Sequence, residues 1–207
     1  MLETQLQGRG INDPAVLRAM QSVDRSHFVP EDLRPYAYAD RPLPIGHGQT
    51  ISQPYIVALM AQSLQLKPGD TILEGGTGCG YNAAVLSKIA SKVYSVEIVP
   101  ELAETARQNL ASAEITNVEV RTGDAYQGWP EKAPFDAIVL TAAPRSLPPR
   151  LPGQLKPGGC LLAPLGNQTQ ELTLFRKKED GQLSQETLLP VRFVPMTGEG
   201  SEKDPGK

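Results

Sequence analysis

The sequence predicts an α/β fold built on a doubly wound, mostly parallel sheet, with antiparallel C-terminal strands and an N-terminal helical and loop cap. Three observations predict it. Short β-type runs alternate with helical segments between Thr71 and Leu140. A glycine-rich turn, Gly75-Gly76-Thr77-Gly78-Cys79-Gly80, joins the first of those strands to a helix. After Lys156-Pro157-Gly158-Gly159 the remaining segments read as strands with short connections. Parallel neighbours need a crossover, so the alternation places helices on both faces of the sheet.

Each element has a local reason. Asn12-Asp13-Pro14 offers a capping side chain ahead of a proline, and Val16, Leu17, Met20 and Val23 follow at helical spacing. Residues 28–54 carry Pro30, Pro35, Pro42, Pro44, Gly46, Gly48 and Pro54 with no helical or strand period. Such a long irregular stretch is expected to be functional, and its apolar and aromatic content argues against disorder. Pro54 starts a second helix, with Ile56, Leu59, Met60 and Leu64 on one face, ending before Lys67-Pro68-Gly69. Strands are expected at Thr71–Glu74, Val93–Glu97, Val118–Val120 and Phe135–Leu140, with helices from Tyr81 to about Ala90 and from Pro100 to Ala111. Cys160–Leu165, Leu172–Arg176 and Leu188–Val194 read as the last strands, with Asp180-Gly181 as a hairpin turn. The whole forms one domain: residues 1–66 a cap and active-site segment, 67–197 a cofactor-binding core, and 198–207 a solvated tail.

The chain has 207 residues, 19 of them Gly and 19 Pro, with a formal net charge of -3. That composition excludes a coiled coil, collagen and a disordered chain. No basic stripe suits nucleic acid, and no segment approaches the apolar length of a membrane span. Neither nucleic acid nor membrane is expected as a partner. Cys79 and Cys160 fit no metal-ligand spacing and are too few for a disulfide framework, so no metal is expected and a reducing, cytoplasmic setting is the simpler inference. The N-terminal residues lack a secretory pattern.

The glycine turn lets a ligand approach the backbone closely. Gly78-x-Gly80-x-x-Ala83, with Glu97 further along, also satisfies the permissive dinucleotide fingerprint, so the loop alone does not separate NAD from S-adenosylmethionine. Three carboxylates help. Glu74 ends the first strand, Glu97 the second, and Asp124 follows the third, all at the carboxyl edge where open α/β sheets bind ligands. A pyrophosphate would be repelled by Glu74, whereas a cofactor with an ammonium and a sulfonium would not. Glu97 suits a ribose diol and Asp124 an adenine amino group; the bland alternative for each is a carboxylate capping the next helix or loop.

Leu73-Glu74-x-Gly76-Thr77-Gly78-x-Gly80-Tyr81 resembles the first motif of class I methyltransferases. The segments from Pro42 to Tyr55, Ala133 to Ile138, Thr141-Ala142-Ala143-Pro144, Gln154 to Gly159 and Val191-Arg192-Phe193-Val194-Pro195 resemble the protein-L-isoaspartate (D-aspartate) O-methyltransferase family, across residues 10–197. The resemblance implies a Rossmann-like sheet and S-adenosyl-L-methionine as cofactor. It further implies methyl transfer to the free carboxylate of L-isoaspartyl residues, with D-aspartyl residues as a second candidate substrate. The ester re-forms a succinimide, which begins repair of damaged proteins and peptides; the enzyme is expected to be a monomer. By the same resemblance Ser52 is the catalytic residue. Ile51, Gln53, Glu74, Gly76, Gly78, Gly80, Glu97, Ile98, Asp124, Ala125 and Thr197 surround the cofactor, and Val191 and Phe193 bind substrate. Val191–Val194 could pair with the substrate backbone.

On local sequence alone Ser52 reads instead as the cap of the helix near Pro54. A carboxylate substrate is ionised at neutral pH, so no strong general base is required, and Thr141-Ala142-Ala143-Pro144 indeed offers none. Catalysis would rest on alignment and desolvation. The chain departs from the family at Asp24, Gly75 and Cys79. Gly75 is expected to loosen the loop and weaken cofactor binding. The competing functions are an NAD-dependent oxidoreductase and an adenosylmethionine-binding scaffold that has lost catalysis.

Overall fold

The structure, a computed structural model, describes residues 1–199; the expected tail at 198–207 lies outside them beyond Glu199. The chain opens with a π-helical turn, Leu2–Leu6, and a 3-10 turn, Gln7–Arg9, before α1 (Pro14–Ser22). Asp13 caps α1, accepting from the backbone N–H of Ala15 at 2.7 Å and of Val16 at 3.2 Å. Val16, Ala19 and Met20 turn inward, as their spacing requires.

The segment expected to be irregular has more structure than its punctuation suggested. It holds 3-10 turns at Arg25–Phe28 and Glu31–Tyr36, then a hairpin of β1 (Leu43–Gly46) and β2 (Gln49–Ile51). Strands this short carry no readable alternation. The turn between them is made by Gly46, His47 and Gly48, with φ of +90°, +52° and +71°. Asp24 caps the first 3-10 turn through the Ser26 N–H at 2.9 Å, which gives that departure from the family a structural role.

α2 (Pro54–Leu64) follows, then β3 (Thr71–Gly75), α3 (Tyr81–Ser87), β4 (Lys92–Glu97), α4 (Pro100–Ser112), β5 (Val118–Thr122), β6 (Phe135–Leu140), β7 (Leu155–Gly166), β8 (Gln170–Lys177) and β9 (Leu183–Val191). Seven of these strands form one sheet in the order β5-β4-β3-β6-β7-β8-β9. Neighbours from β5 to β7 are parallel, and β7-β8 and β8-β9 are antiparallel. The chain winds outward from β3 to β5 and returns to pair β6 with β3, so strand order reverses between β3 and β6. That reversal opens a crevice at the carboxyl ends of the two strands.

Two apolar clusters flank the sheet. One joins α1, α2, α3 and Leu110 of α4 to Ile72, Val93, Ala137, Val139 and Leu162. The other packs Leu73, Val96, Phe135, Ile138 and Leu161 against Tyr126, Trp129 and Leu151. Helices were expected on both faces; on this second face the cover comes from 3-10 turns at Ala125–Gln127, Pro130–Lys132 and Pro152–Gln154. Prolines at 130, 134, 144, 148, 149 and 152 account for it, because proline in a helix interior removes a donor and clashes with the preceding turn.

The last strand was expected at Leu188–Val194 and runs instead from Leu183 to Val191. The side chain of Gln170 captures the next residues, accepting from Phe193 N–H at 2.6 Å and donating to Phe193 C=O at 3.1 Å. Ala143 N–H then donates to Val194 C=O at 2.8 Å, and Met196 N–H to Ala143 C=O at 2.8 Å. These bonds carry the chain from the sheet edge to the end of β6, beside the crevice.

Candidate active site

The crevice floor is the turn after β3. Gly76 N–H donates to Val96 C=O at 2.8 Å, and Gly76 has a φ of +96°. A Cβ there would lie 2.5 Å from Thr141 Oγ1, so only glycine allows β3 and β6 to approach this closely at their ends. The Thr141 hydroxyl donates to the carbonyl of Gly75 at 3.2 Å and to that of Gly76. Glu97, at the end of β4, accepts from Gly78 N–H at 2.7 Å through Oε2 and from Val99 N–H at 3.0 Å through Oε1. Its carboxylate ties the glycine loop to the second strand and still faces the crevice.

Above this floor stands the cap. Ile45 of β1 approaches the loop so closely that a Cβ on Gly78 would lie 3.2 Å from its Cδ1. Between cap and floor lies a cleft open to solvent. Ile51, Ser52, Gly76, Gly78, Glu97, Ile98, Ala125 and Thr197 line it. Among the described residues Glu97 is its one charged lining residue, and no Lys or Arg lines it. Such a cleft offers a pyrophosphate no counter-charge, whereas it suits a ligand carrying an ammonium, a sulfonium and a ribose.

Four of the expected cofactor residues stand elsewhere. Glu74 is fully buried beneath the loop and accepts from Asn82 Nδ2 at 2.8 Å and from the Ser95 hydroxyl. Burial pushes its carboxyl up to about 7, against the pull of those two hydrogen bonds. Asn82 itself lines the cleft, and its Oδ1 is buried with no hydrogen-bond partner among the described residues. Gly80 heads α3 with a φ of +91° and packs on α4, where a Cβ would lie 3.3 Å from Leu110 Cγ. Asp124 serves as a cap, accepting from Tyr126 N–H at 2.9 Å and Glu199 N–H at 2.8 Å. Gln53 faces a second cleft on the far side of Ser52 and donates to Asp40 Oδ2 at 2.8 Å.

That second cleft is lined by Val191, Phe193, Arg9, Tyr55 and Ile56. It shares Thr50, Ser52, Thr141, Val194 and Pro195 with the first. Ser52 therefore stands in the wall between them. It does not cap α2: Gln53 stands at the N-cap and its side chain makes no capping bond to the helix, and Asp40 Oδ1 accepts from Tyr55 N–H at 3.1 Å instead. The Phe193 N–H is taken by Gln170, so backbone pairing with substrate excludes that amide.

The departures from the family fit the structure. Gly75 is paired on both sides, with Val96 and Leu140, and a Cβ on it would lie 2.7 Å from Leu140 Cδ2 and 2.9 Å from Ala125 Cβ. The expected loosening of the loop does not arise, because Gly75 is the last residue of a central strand. Burial raises the Cys79 thiol to about 11, which keeps it protonated. His47 is exposed at the hairpin tip, and His27 lies 3.6 Å from Asp24 on the surface, so neither reaches the cleft. No cluster of metal-ligating side chains occurs among the described residues.

Composition and spacing pointed to the glycine loop and Glu97 but passed over Thr141, Asn82 and Arg25. Thr141 was visible only as the absence of a carboxylate after β6. Asn82 and Arg25 carried no local signal.

Comparison with known proteins bears on the same site. The family model described as Protein-L-isoaspartate(D-aspartate) O-methyltransferase (PCMT) matches residues 1–201. A protein-L-isoaspartate O-methyltransferase of Gloeobacter violaceus is 52% identical over 201 residues, covering 96% of this chain and 98% of the relative. One from Myxococcus xanthus is 54% identical over 198 residues, covering 94% and 93%. A solved protein-L-isoaspartate O-methyltransferase superposes with a TM-score of 0.87 at 32% identity, over 96% of this chain and 66% of that one. A crystal structure from Plasmodium falciparum, described as a beta-aspartate methyltransferase in complex with S-adenosyl-L-homocysteine, gives 0.83 at 30% identity, over 95% and 96%.

Proposed function

The chain belongs to the protein-L-isoaspartate (D-aspartate) O-methyltransferase family, and from that premise we propose how its own residues divide the work of carboxyl methylation. The enzyme is S-adenosylmethionine-dependent and methylates the free carboxylate of L-isoaspartyl residues in proteins and peptides. The observation that carries the division of roles is the wall between the two clefts, with Ser52 and Thr141 common to both. The inner cleft suits the cofactor, because its glycine turn admits close approach and, among the described residues, it presents a carboxylate and no cation. The outer cleft is open and largely apolar, as an extended peptide requires.

When bound, S-adenosylmethionine supplies an electrophilic methyl group on a positively charged sulfur. Gly76, Gly78, Glu97, Ile98, Ala125 and Thr197 would hold it, with Glu97 toward the ribose. Ile51, Val57, Val194, Pro195 and Met196 exclude water around the meeting point of the clefts. The substrate carboxylate arrives ionised, so no proton has to be removed from it. The Ser52 hydroxyl donates a hydrogen bond to one carboxylate oxygen and leaves the other aligned for attack. That role is orientation rather than nucleophilic catalysis, since neither histidine lines either cleft. Val191 and Phe193 hold the peptide along the outer cleft.

Residues 1–66 act as the cap in this reading and 67–197 as the cofactor-binding core. A cytoplasmic monomer completes it, the two buried free thiols supporting the reducing setting. Among the described residues, no helix is long and apolar enough to cross a membrane.

The test offers methyl-labelled S-adenosylmethionine to peptide pairs that differ only in an aspartyl or isoaspartyl linkage and measures base-labile methyl ester. Labelling confined to the isoaspartyl member, with a large loss of turnover in Ser52→Ala, is the expected result. Equal labelling of both peptides, or an unaltered Ser52→Ala enzyme, would overturn it.

A further inference from the structure

Arg25 is fully buried, yet no carboxylate forms an ion pair with it among the described residues. Its guanidinium is spent on backbone carbonyls of the cap. Nε donates to Ala37 C=O at 2.7 Å, Nη1 to Ser52 C=O at 2.8 Å and Nη2 to Arg41 C=O at 3.5 Å. The same cation lies 5.1 Å from the ring centroid of Tyr81, the first residue of α3 and a wall of the cofactor cleft. A buried charge without a counter-ion is costly, and an apolar side chain of similar volume would fill the space without that cost. What such a residue could not do is hold three carbonyls from separate stretches of an irregular loop in one plane. The planar fork of donors is the property in use.

We propose that Arg25 is a positioning residue for methyl transfer: it fixes the main chain at Ser52, and so aims the Ser52 hydroxyl into the junction of the two clefts. The inference rests on the orienting role given to Ser52 above. A lysine at position 25 carries the charge but has no planar fork with which to hold all three carbonyls. The cap then keeps its packing, held by Phe28, Val29, Ala37, Leu43 and Ile51 in the core, while Ser52 gains freedom.

The test is a double-mutant cycle between position 25 and Ser52, read as kcat/KM for an isoaspartyl peptide. Active enzyme is counted by titration with S-adenosylhomocysteine, so that a loss of folded protein does not enter the rate. Arg25→Lys is expected to lower kcat/KM about tenfold in the Ser52 enzyme and less than about twofold in the Ser52→Ala enzyme, because coupled residues are not additive. S-adenosylhomocysteine affinity is expected to stay within about threefold of the parent. Arg25→Gln runs in parallel, so the cycle can be closed if the lysine variant does not fold. Equal losses in the two backgrounds would mean that Arg25 acts on the fold alone and would overturn the inference while leaving Ser52 in place. A Ser52→Ala enzyme with parental turnover would remove the Ser52 reading itself, and this inference with it.

Discussion

Gly76 and Thr141 meet at the ends of β3 and β6, with the space for a Cβ on Gly76 only 2.5 Å from Thr141 Oγ1. The contact lies where strand order reverses, and it sets how closely a ligand can approach the backbone there. Gly76→Ala adds a left-handed residue at a φ of +96° to that clash. The expected outcome is a stability loss of about 2–4 kcal/mol, from overpacking and the left-handed conformation together. S-adenosylhomocysteine affinity should fall by at least about tenfold, a loss of roughly 1.4 kcal/mol. Adding Thr141→Ala relieves the clash but not the backbone strain, so denaturant unfolding of the double variant should recover only part of the stability. Full recovery would show that φ at position 76 is not restrictive.

Gly75→Ala should destabilise rather than tighten the loop. Its Cβ would fall 2.9 Å from Ala125 Cβ, which has no rotamer with which to retreat. A loss of about 1–3 kcal/mol in urea unfolding is expected. A gain in stability would mean that the β3 end has room the geometry denies.

Glu74 gives a pH dependence with a definite sign. The folded state holds its proton up to about 7, whereas the ordinary glutamate value is 4.5. Between those values the folded state binds more protons than the unfolded state, so stability falls as pH rises from about 4.5 to about 7, by a margin on the order of 3 kcal/mol. Below that window the stabilisation is fully present. Glu74→Gln should remove this slope, and unfolding free energies of enzyme and variant, measured at pH 5 and pH 7.5, should differ more at the higher pH in favour of the variant. Parallel pH curves would place Glu74 with an ordinary carboxyl.

Asp40 caps α2 from outside the helix, accepting from Tyr55 N–H at 3.1 Å while also holding Gln53 and Arg9. Asp40→Ala should cost about 1–2 kcal/mol of stability, the usual value of a helix cap. Because the bond lies three residues beyond Ser52, it should also raise KM for isoaspartyl peptide with little change in S-adenosylhomocysteine affinity. An unchanged KM would confine Asp40 to the helix.

How much was legible in the sequence differs by element. β6 was expected at Phe135–Leu140 and is found there, because five of its six residues are apolar and buried, with only the half-buried Asp136 interrupting the run. α1 was legible through Asp13 and Pro14, whose roles are local. The β1-β2 hairpin was not, because its strands are too short for a period and only the Gly46-His47-Gly48 turn signals it. The end of β9 was misplaced because Val191, Phe193 and Val194 read as strand residues, and what stops the strand is Gln170, more than twenty residues away.

The site divides in the same way. The glycine loop and Glu97 were readable, since close backbone approach and a strand-end carboxylate depend on residues near one another in the chain. Ser52 and the family itself were readable from motifs carried by this chain. Tertiary structure alone decided that Glu74 lies beneath the loop and that Arg25 holds the Ser52 carbonyl across 26 intervening positions. The physical reason is that backbone conformation follows from neighbours, whereas burial and the partner of a polar group depend on which distant segments the packed sheet brings beside it.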